Sequence, residues 1–265
     1  MEVHHPHHPT HKKKWSEYIL EFVMLFAAVS LGFIAENIRE HTTELKNTNK
    51  SLVTLYKDIQ SDSINVAQAL GYRETIFKAD SIIMNYYTNN VLMNKIDELY
   101  LFDFLIARRA YPRINQMALD ELNTNGKLNF IEDDSLKQNV QEYYQASKQM
   151  ETRRIREYDF LDKHHDPIRM KYFDIYNLNF NKNIILESIN ISNNKIVCNL
   201  NSENLQFKLL DDYKFEIKQY LNTVNYIVSL ETADNNYYIK PFQKDISTIL
   251  SNLRVYFKEN NIKYN

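Results

Sequence analysis

Glycine is almost missing from this chain: three occur in 265 residues, at Gly32, Gly71 and Gly126, and no two are near each other. A phosphate-cradling P-loop and a GxGxxG fingerprint both need several glycines at short spacing, so the classical nucleotide enzymes are set aside. Cysteine is scarcer still. The lone Cys198 excludes an intramolecular disulfide and a thiolate metal cluster, which leaves packing to hold the fold. Nor is there an excess of positive charge: 32 Lys and Arg stand against 34 Asp and Glu, for a formal net charge of -2. A nucleic-acid binder would carry a basic stripe, and none is present. The local contexts of a nucleophile elbow and of a zinc-binding helix motif are absent too, so no enzyme is expected.

What the chain does have is one long apolar run. Tyr18 to Ile38 reads YILEFVMLFAAVSLGFIAENI, and a stretch of this length spans about 30 Å as a helix, the thickness of a bilayer core. Trp15 and Tyr18 are placed as interfacial anchors, with Glu21 and Glu36 near the two ends. A buried soluble helix and a cleaved signal peptide are the rival readings. The second lacks its small-x-small site, since Phe33 stands two places before Ala35. We read an uncleaved transmembrane helix over residues 15–38. At 100° per residue, Glu21, Leu25, Ala28, Gly32, Ala35 and Arg39 share one stripe. Small residues at this spacing let two helix backbones approach, so Glu21, Ala28, Gly32 and Ala35 are the expected helix-pairing positions. Lys12, Lys13 and Lys14 flank the run on one side, and Arg39, Lys46 and Lys50 are more dispersed on the other. This bias favours an inner-membrane, single-pass protein with a cytoplasmic N-terminus and a periplasmic C-terminal domain.

Ahead of the run lies "HHPHHPTHKKKW", a His/Pro/Lys-rich tail over residues 1–14 that reads as disordered. Its prolines favour polyproline II, with three residues per turn, which aligns His5, His8 and His11 on one edge and His4 and His7 on another. Imidazoles so spaced can capture a divalent metal weakly; otherwise the tail is solvated and assists the lysines in gripping anionic headgroups. No other cofactor is expected. His164, His165 and Asp166 before Pro167 could form a second ligand cluster, but the same residues close a helix.

Residues 39–265 keep a helical rhythm. Leu52, Leu55, Ile59, Val66 and Leu70 extend the first helix as a stalk to an Asn89-Asn90 break, with Gly71 as a candidate kink. Shorter helices are expected near Asp97 to Ala110, ended by Pro112, and near Ile114 to Asn123, closed by Gly126. Ser135 with Gln138 reads as a capping box, and Asp133 and Asp134 as further helix-start residues. The helix they open has a face running from Leu136 through Val140, Tyr143, Met150 and Ile155 to Leu161. Residues 184–200 change period, and pairing Ile191 with Ile196 and Ile189 with Cys198 predicts a small inserted β-hairpin. Helical period resumes from Leu205 to Val228 and again from Phe242 to Tyr256, two helices expected to pack antiparallel, with Pro241 in the first turn of the second. The fold class is thus mainly α: one transmembrane helix continuing into a bundle of long antiparallel helices.

Two stretches, "SLVTLYKDIQSD" and "LDELNTNGKLNFIEDDSLKQNVQEYY", resemble uncharacterised single-span proteins with a helical domain that are common in Bacteroidetes. In that family a helix ends in Gly, Leu-x-x-Ile follows, and a new helix carries a paired Tyr; here these are Gly126, Leu128, Ile131, Tyr143 and Tyr144. The resemblance covers roughly residues 15 to 150. It implies architecture and brings no activity with it. The expectation is a membrane-anchored interaction or scaffold protein of the cell envelope, working as a homo-oligomer or with an envelope partner. A membrane-anchored ligand or metal sensor acting through a partner is the alternative.

Overall fold

The computed structural model describes residues 14–124, 126–180, 189–192, 195–198, 207–210 and 217–264. The protein is mainly helical. Helix α1 runs from Trp15 to Thr88, 74 residues without a proline, and continues through Gly71. It stops at Asn90, which takes φ 54. The Val91 amide donates to the Tyr86 carbonyl at 2.9 Å, the long bond of a left-handed helix stop, and asparagine tolerates that conformation better than most residues.

Helix α2 (Ile96–Ala107) is apolar almost all round and buried from Leu99 to Ile106, as a helix enclosed on every side must be. It ends at Ala107, short of Pro112, because Arg109 takes the left-handed φ of 55 and turns the chain. Helix α3 (Met117–Thr124) follows, and Gly126, at φ 66, begins the next single turn. Helix α4 (Asp134–Phe160) is capped by Asp133, whose carboxylate accepts the Leu136 amide at 3.0 Å. The expected Ser135–Gln138 box is not what caps it: Gln138 donates to Glu142 instead. The expected buried face of α4 also loses Ile155, which is 55% exposed.

Beyond Phe160 the helix does not close at the histidines. A π turn, Leu161–His165, carries it directly into α5 (Asp166–Tyr172). The same arrangement recurs where two antiparallel helices were expected. Helix α7 (Ile217–Asp234), which follows the short α6 (Ile175–Phe180), passes through a second π turn, Asn235–Ile239, into α8 (Lys240–Glu259). Asp234, Ile239 and Lys240 all keep right-handed helical angles, so this is one continuous rod. The prolines explain both turns. Pro167 and Pro241 each stand two places after a π turn. A proline lacks the N–H that would reach the carbonyl four residues back, and its ring crowds that carbonyl. Widening the preceding turn to i→i+5 relieves the crowding while the helix goes on.

The expected helix from Leu205 begins only at Ile217 among the described residues, and Leu209 instead bridges Phe173 in antiparallel fashion. Strands β1 (Ile189–Ser192) and β2 (Lys195–Cys198) pair antiparallel with Ile189 opposite Cys198 and Ile191 opposite Ile196. Their connecting residues, 193 and 194, lie outside the described residues.

Three rods make the body: the second half of α1, α4–α5 and α7–α8. Contacts of Asp62 with Tyr143 and of Arg73 with Glu157 run α4 parallel to α1. Contacts of Arg73 with Glu231 and of Tyr56 with Arg254 run α7–α8 antiparallel to it. The apolar core is in two parts. One gathers Ile76, Ile83, α2, Leu161, Phe173 and Val224. The other gathers Leu52, Leu55, Ile59, Tyr143, Ile246 and Leu253. Truncating one such buried leucine or isoleucine to alanine costs about 2–5 kcal/mol.

Candidate functional site

Of the residues that sequence reasoning singled out, His4, His5, His7, His8 and His11 lie outside the described residues. Glu21, Ala28, Gly32 and Ala35 sit on the exposed first part of α1. Among the described residues, nothing lies within 4 Å of where a Gly32 side chain would start. The His164–His165–Asp166 group does not form a ligand cluster. His164 packs its ring on Phe160, whereas His165 turns inward and is fully buried. Among the described residues no group of three or more His, Cys, Asp and Glu is placed to hold a metal ion.

The chemistry that the structure concentrates lies elsewhere, in polar groups buried between the three rods. Arg73 is 0% exposed. It donates to Glu157, to the Ala110 carbonyl at 2.7 Å, to the Glu231 carbonyl at 3.3 Å and to Asn235 Oδ1 at 3.5 Å, and lies 4.7 Å over the Tyr111 ring. Glu231 and Asn235 stand where α7 enters its π turn, so the interrupted ladder presents backbone and side-chain oxygens to one guanidinium. Three buried carboxylates, Glu157, Glu231 and Asp234, share this layer, and Arg153 reaches Asp234 from the rim at 3.6 Å. Burial raises all three acids against the pull of the arginines, and Glu231 is pushed up to about 8. Arg73 keeps its charge because Glu157 and Glu231 more than offset its own burial. Burial thus favours the protonated form of the acids in this layer.

A second cluster sits at the other π turn. Asp103, wholly buried in α2, accepts from Arg169 and from the Tyr220 hydroxyl at 3.2 Å, with His165 Nε2 3.8 Å away. Burial raises Asp103, while Arg169 and His165 pull it down. On the far side of His165, Asp166 pairs with Arg109, which also holds Asp162.

Between the clusters runs the connection from α2 to α3, residues 108–116, whose backbone is pinned by side chains from the rods. The Tyr158 hydroxyl donates to the Arg109 carbonyl at 2.8 Å, Arg73 to that of Ala110, and Asn65 to that of Arg113 at 3.3 Å. Asp62 accepts the Asn115 amide at 3.1 Å and the Tyr143 hydroxyl at 3.2 Å, and its burial raises it to about 6. The pinned loop forms one wall of a groove of about 470 Å³, lined among others by Asn65, Gln68, Tyr72, Arg108, Arg113 and Tyr158.

Sequence reasoning missed these buried charges, although a signal was there. Val66, Ala69, Arg73 and Ile76 follow one helical face at spacings of three and four, and Val224, Val228, Glu231 and Asn235 do the same. A charged residue in an apolar register marks a buried polar layer, because a buried charge needs a partner.

These features define a mainly helical domain, with charged layers inside it, carried on a helix whose first half is bare and apolar. In comparisons with protein-family models, curated proteins and solved structures, the chain matches none.

Proposed function

We propose that the protein is a membrane-anchored interaction or scaffold protein of the cell envelope, held by residues 15–38 and associating through the face that carries Glu21, Ala28, Gly32 and Ala35. The observation that carries this reading is the bare half of α1. An 18-residue window there reaches a mean hydropathy of 2.1 with none of it buried, which makes the helix long and apolar enough to cross a membrane. Trp15, Leu25 and Phe33 are 84%, 68% and 73% exposed. In water such a rod would forgo the burial that stabilises the two core clusters, at about 25 cal/mol per Å². A bilayer, with a second helix on the small-residue face, removes that penalty. The resemblance to single-span Bacteroidetes proteins and the lysines at 12–14 support an inner-membrane location with the helical domain on the periplasmic side.

The test is brief crosslinking of the full-length protein in its native membrane, then capture in mild detergent. A stoichiometric partner, or a second copy, is expected, and Gly32→Leu should reduce the crosslinked yield several-fold. Recovery of the protein alone, with Gly32→Leu indistinguishable from wild type, overturns the interaction reading.

A further inference from the structure

The groove beside residues 108–113 differs from the rest of the surface in charge. The chain carries slightly more acids than bases, yet the lining of this groove holds three arginines and no acid. Arg109 is occupied by Asp162 and Asp166. Neighbouring arginines on α4 and α5 are similarly occupied, Arg153 by Asp234, Arg154 by Glu151 and Arg169 by Asp103. Arg108 and Arg113 are not: among the described residues neither has a carboxylate within 4.0 Å. Glu151, already held by Arg154, is the acid that feels Arg113.

The Arg108 guanidinium is also positioned. It lies 5.6 Å over the Tyr72 ring and 5.7 Å over the Phe104 ring, and Tyr72 is itself tied by its hydroxyl to the Leu105 carbonyl at 3.2 Å. Stacking of this kind orients a guanidinium while leaving its N–H groups free for a planar or tetrahedral oxyanion. Asn65 and Gln68 on α1 and Tyr158 on α4 line the same groove, and the two amides offer polar groups to the body of a small ligand. The volume is in the range of small-molecule sites, about 300–1,000 Å³.

We propose that this groove binds a small soluble phosphate ester, its phosphoryl group held by Arg108 and Arg113 and its polar body resting against Asn65, Gln68 and Tyr158. The source is a soluble molecule and not a lipid headgroup of the anchoring membrane. From Ile38 to Asn65 the unbroken α1 rises about 40 Å at about 1.5 Å per residue, beyond the reach of that bilayer's surface. This last step rests on the membrane reading; the oxyanion site does not, and it adds a ligand to a protein otherwise read as a scaffold.

Calorimetry on the full chain in mild detergent tests it, with inorganic phosphate and glucose 6-phosphate as probes, and glucose and chloride at matched ionic strength as controls. Saturable binding of both phosphates and of neither control is expected. Arg108→Gln and Arg113→Gln should each weaken it about tenfold or more, since hydrogen bonds to a charged group are the strong ones. Both side chains are exposed, so melting temperatures without ligand should match wild type. Added glucose 6-phosphate should raise the melting temperature of wild type and not that of the double variant. Failure of both phosphates to saturate, or equal binding by the double variant, overturns the site. Binding to phosphatidate vesicles added to the solubilised protein, with none of either soluble phosphate, overturns the soluble source.

Discussion

Helix α1 contains two regions that invert each other. From Trp15 to Ile38 its apolar side chains are exposed; from Thr48 to Ile83 it is packed, and the largest of its fully buried side chains is an arginine. The same backbone geometry serves both halves, so the difference lies in what each half is matched to. The packed half is matched to α4 and α7–α8, which bring three carboxylates and an asparagine to Arg73. The bare stretch is covered by nothing among the described residues, and its large unburied apolar area fits a lipid or protein environment. Stability is therefore carried by one stretch of a single helix and the exposed apolar surface by another, and a substitution should act on one and spare the other.

The largest effect is expected at Arg73. Replacement by methionine fills much of the volume and leaves Glu157 and Glu231 without their cation, a loss of about 3–5 kcal/mol. Denaturant unfolding of the detergent-solubilised protein, followed by circular dichroism, should show the midpoint fall accordingly. A change under about 0.5 kcal/mol would mean that the layer is not closed as described. A matched pair sharpens the comparison. Ile59→Ala, in the packed half at 0% exposure, should cost about 2–5 kcal/mol, and Ile34→Ala, at 55% exposure, should leave unfolding of the domain where it was. Equal effects would break the division between the halves.

The third expectation concerns pH and is the smallest. Glu231, raised from its ordinary 4.5 to about 8, keeps its proton in the folded state over a range where the unfolded chain has lost it. Its contribution favours folding at the acid end, and stability falls as pH rises from about 4.5 toward 8. Asp62, raised to about 6, and the raised Asp103, Glu157 and Asp234 add the same sign of slope, so the difference between wild type and Glu231→Gln is what isolates Glu231. Glu231 should contribute at most about 1.4 kcal/mol per pH unit to that fall, and Glu231→Gln should make the profile shallower by that contribution. A Glu231→Gln profile with the same slope as wild type would contradict the raised Glu231.

Much of this was open to reading in the residues. The apolar run, the α1 stop at Asn89-Asn90, the left-handed Gly126 and the buried face through Leu136, Val140, Tyr143 and Met150 are local patterns, and local backbone preference and burial produced them. Pro167 and Pro241 were misread as helix boundaries because the local rule for proline is to stop a helix; packing along the whole length of each rod kept it intact, and a π turn absorbed the proline. The cap on α4 is Asp133, one of the helix-start residues read from the sequence, and not Ser135. The groove was least legible, since Asn65, Arg108 and Tyr158 come from three separate elements.

By itself, then, the sequence determined the helical period, the apolar segment near the start of α1 and the lack of a second cysteine or a glycine-rich motif, all consequences of short-range spacing and composition. Only the tertiary structure decided which charges are buried together, which arginines are spent on carboxylates and which face an open groove. Those depend on side chains from distant positions meeting across rods, where the low dielectric of the interior makes each pairing, or its lack, count.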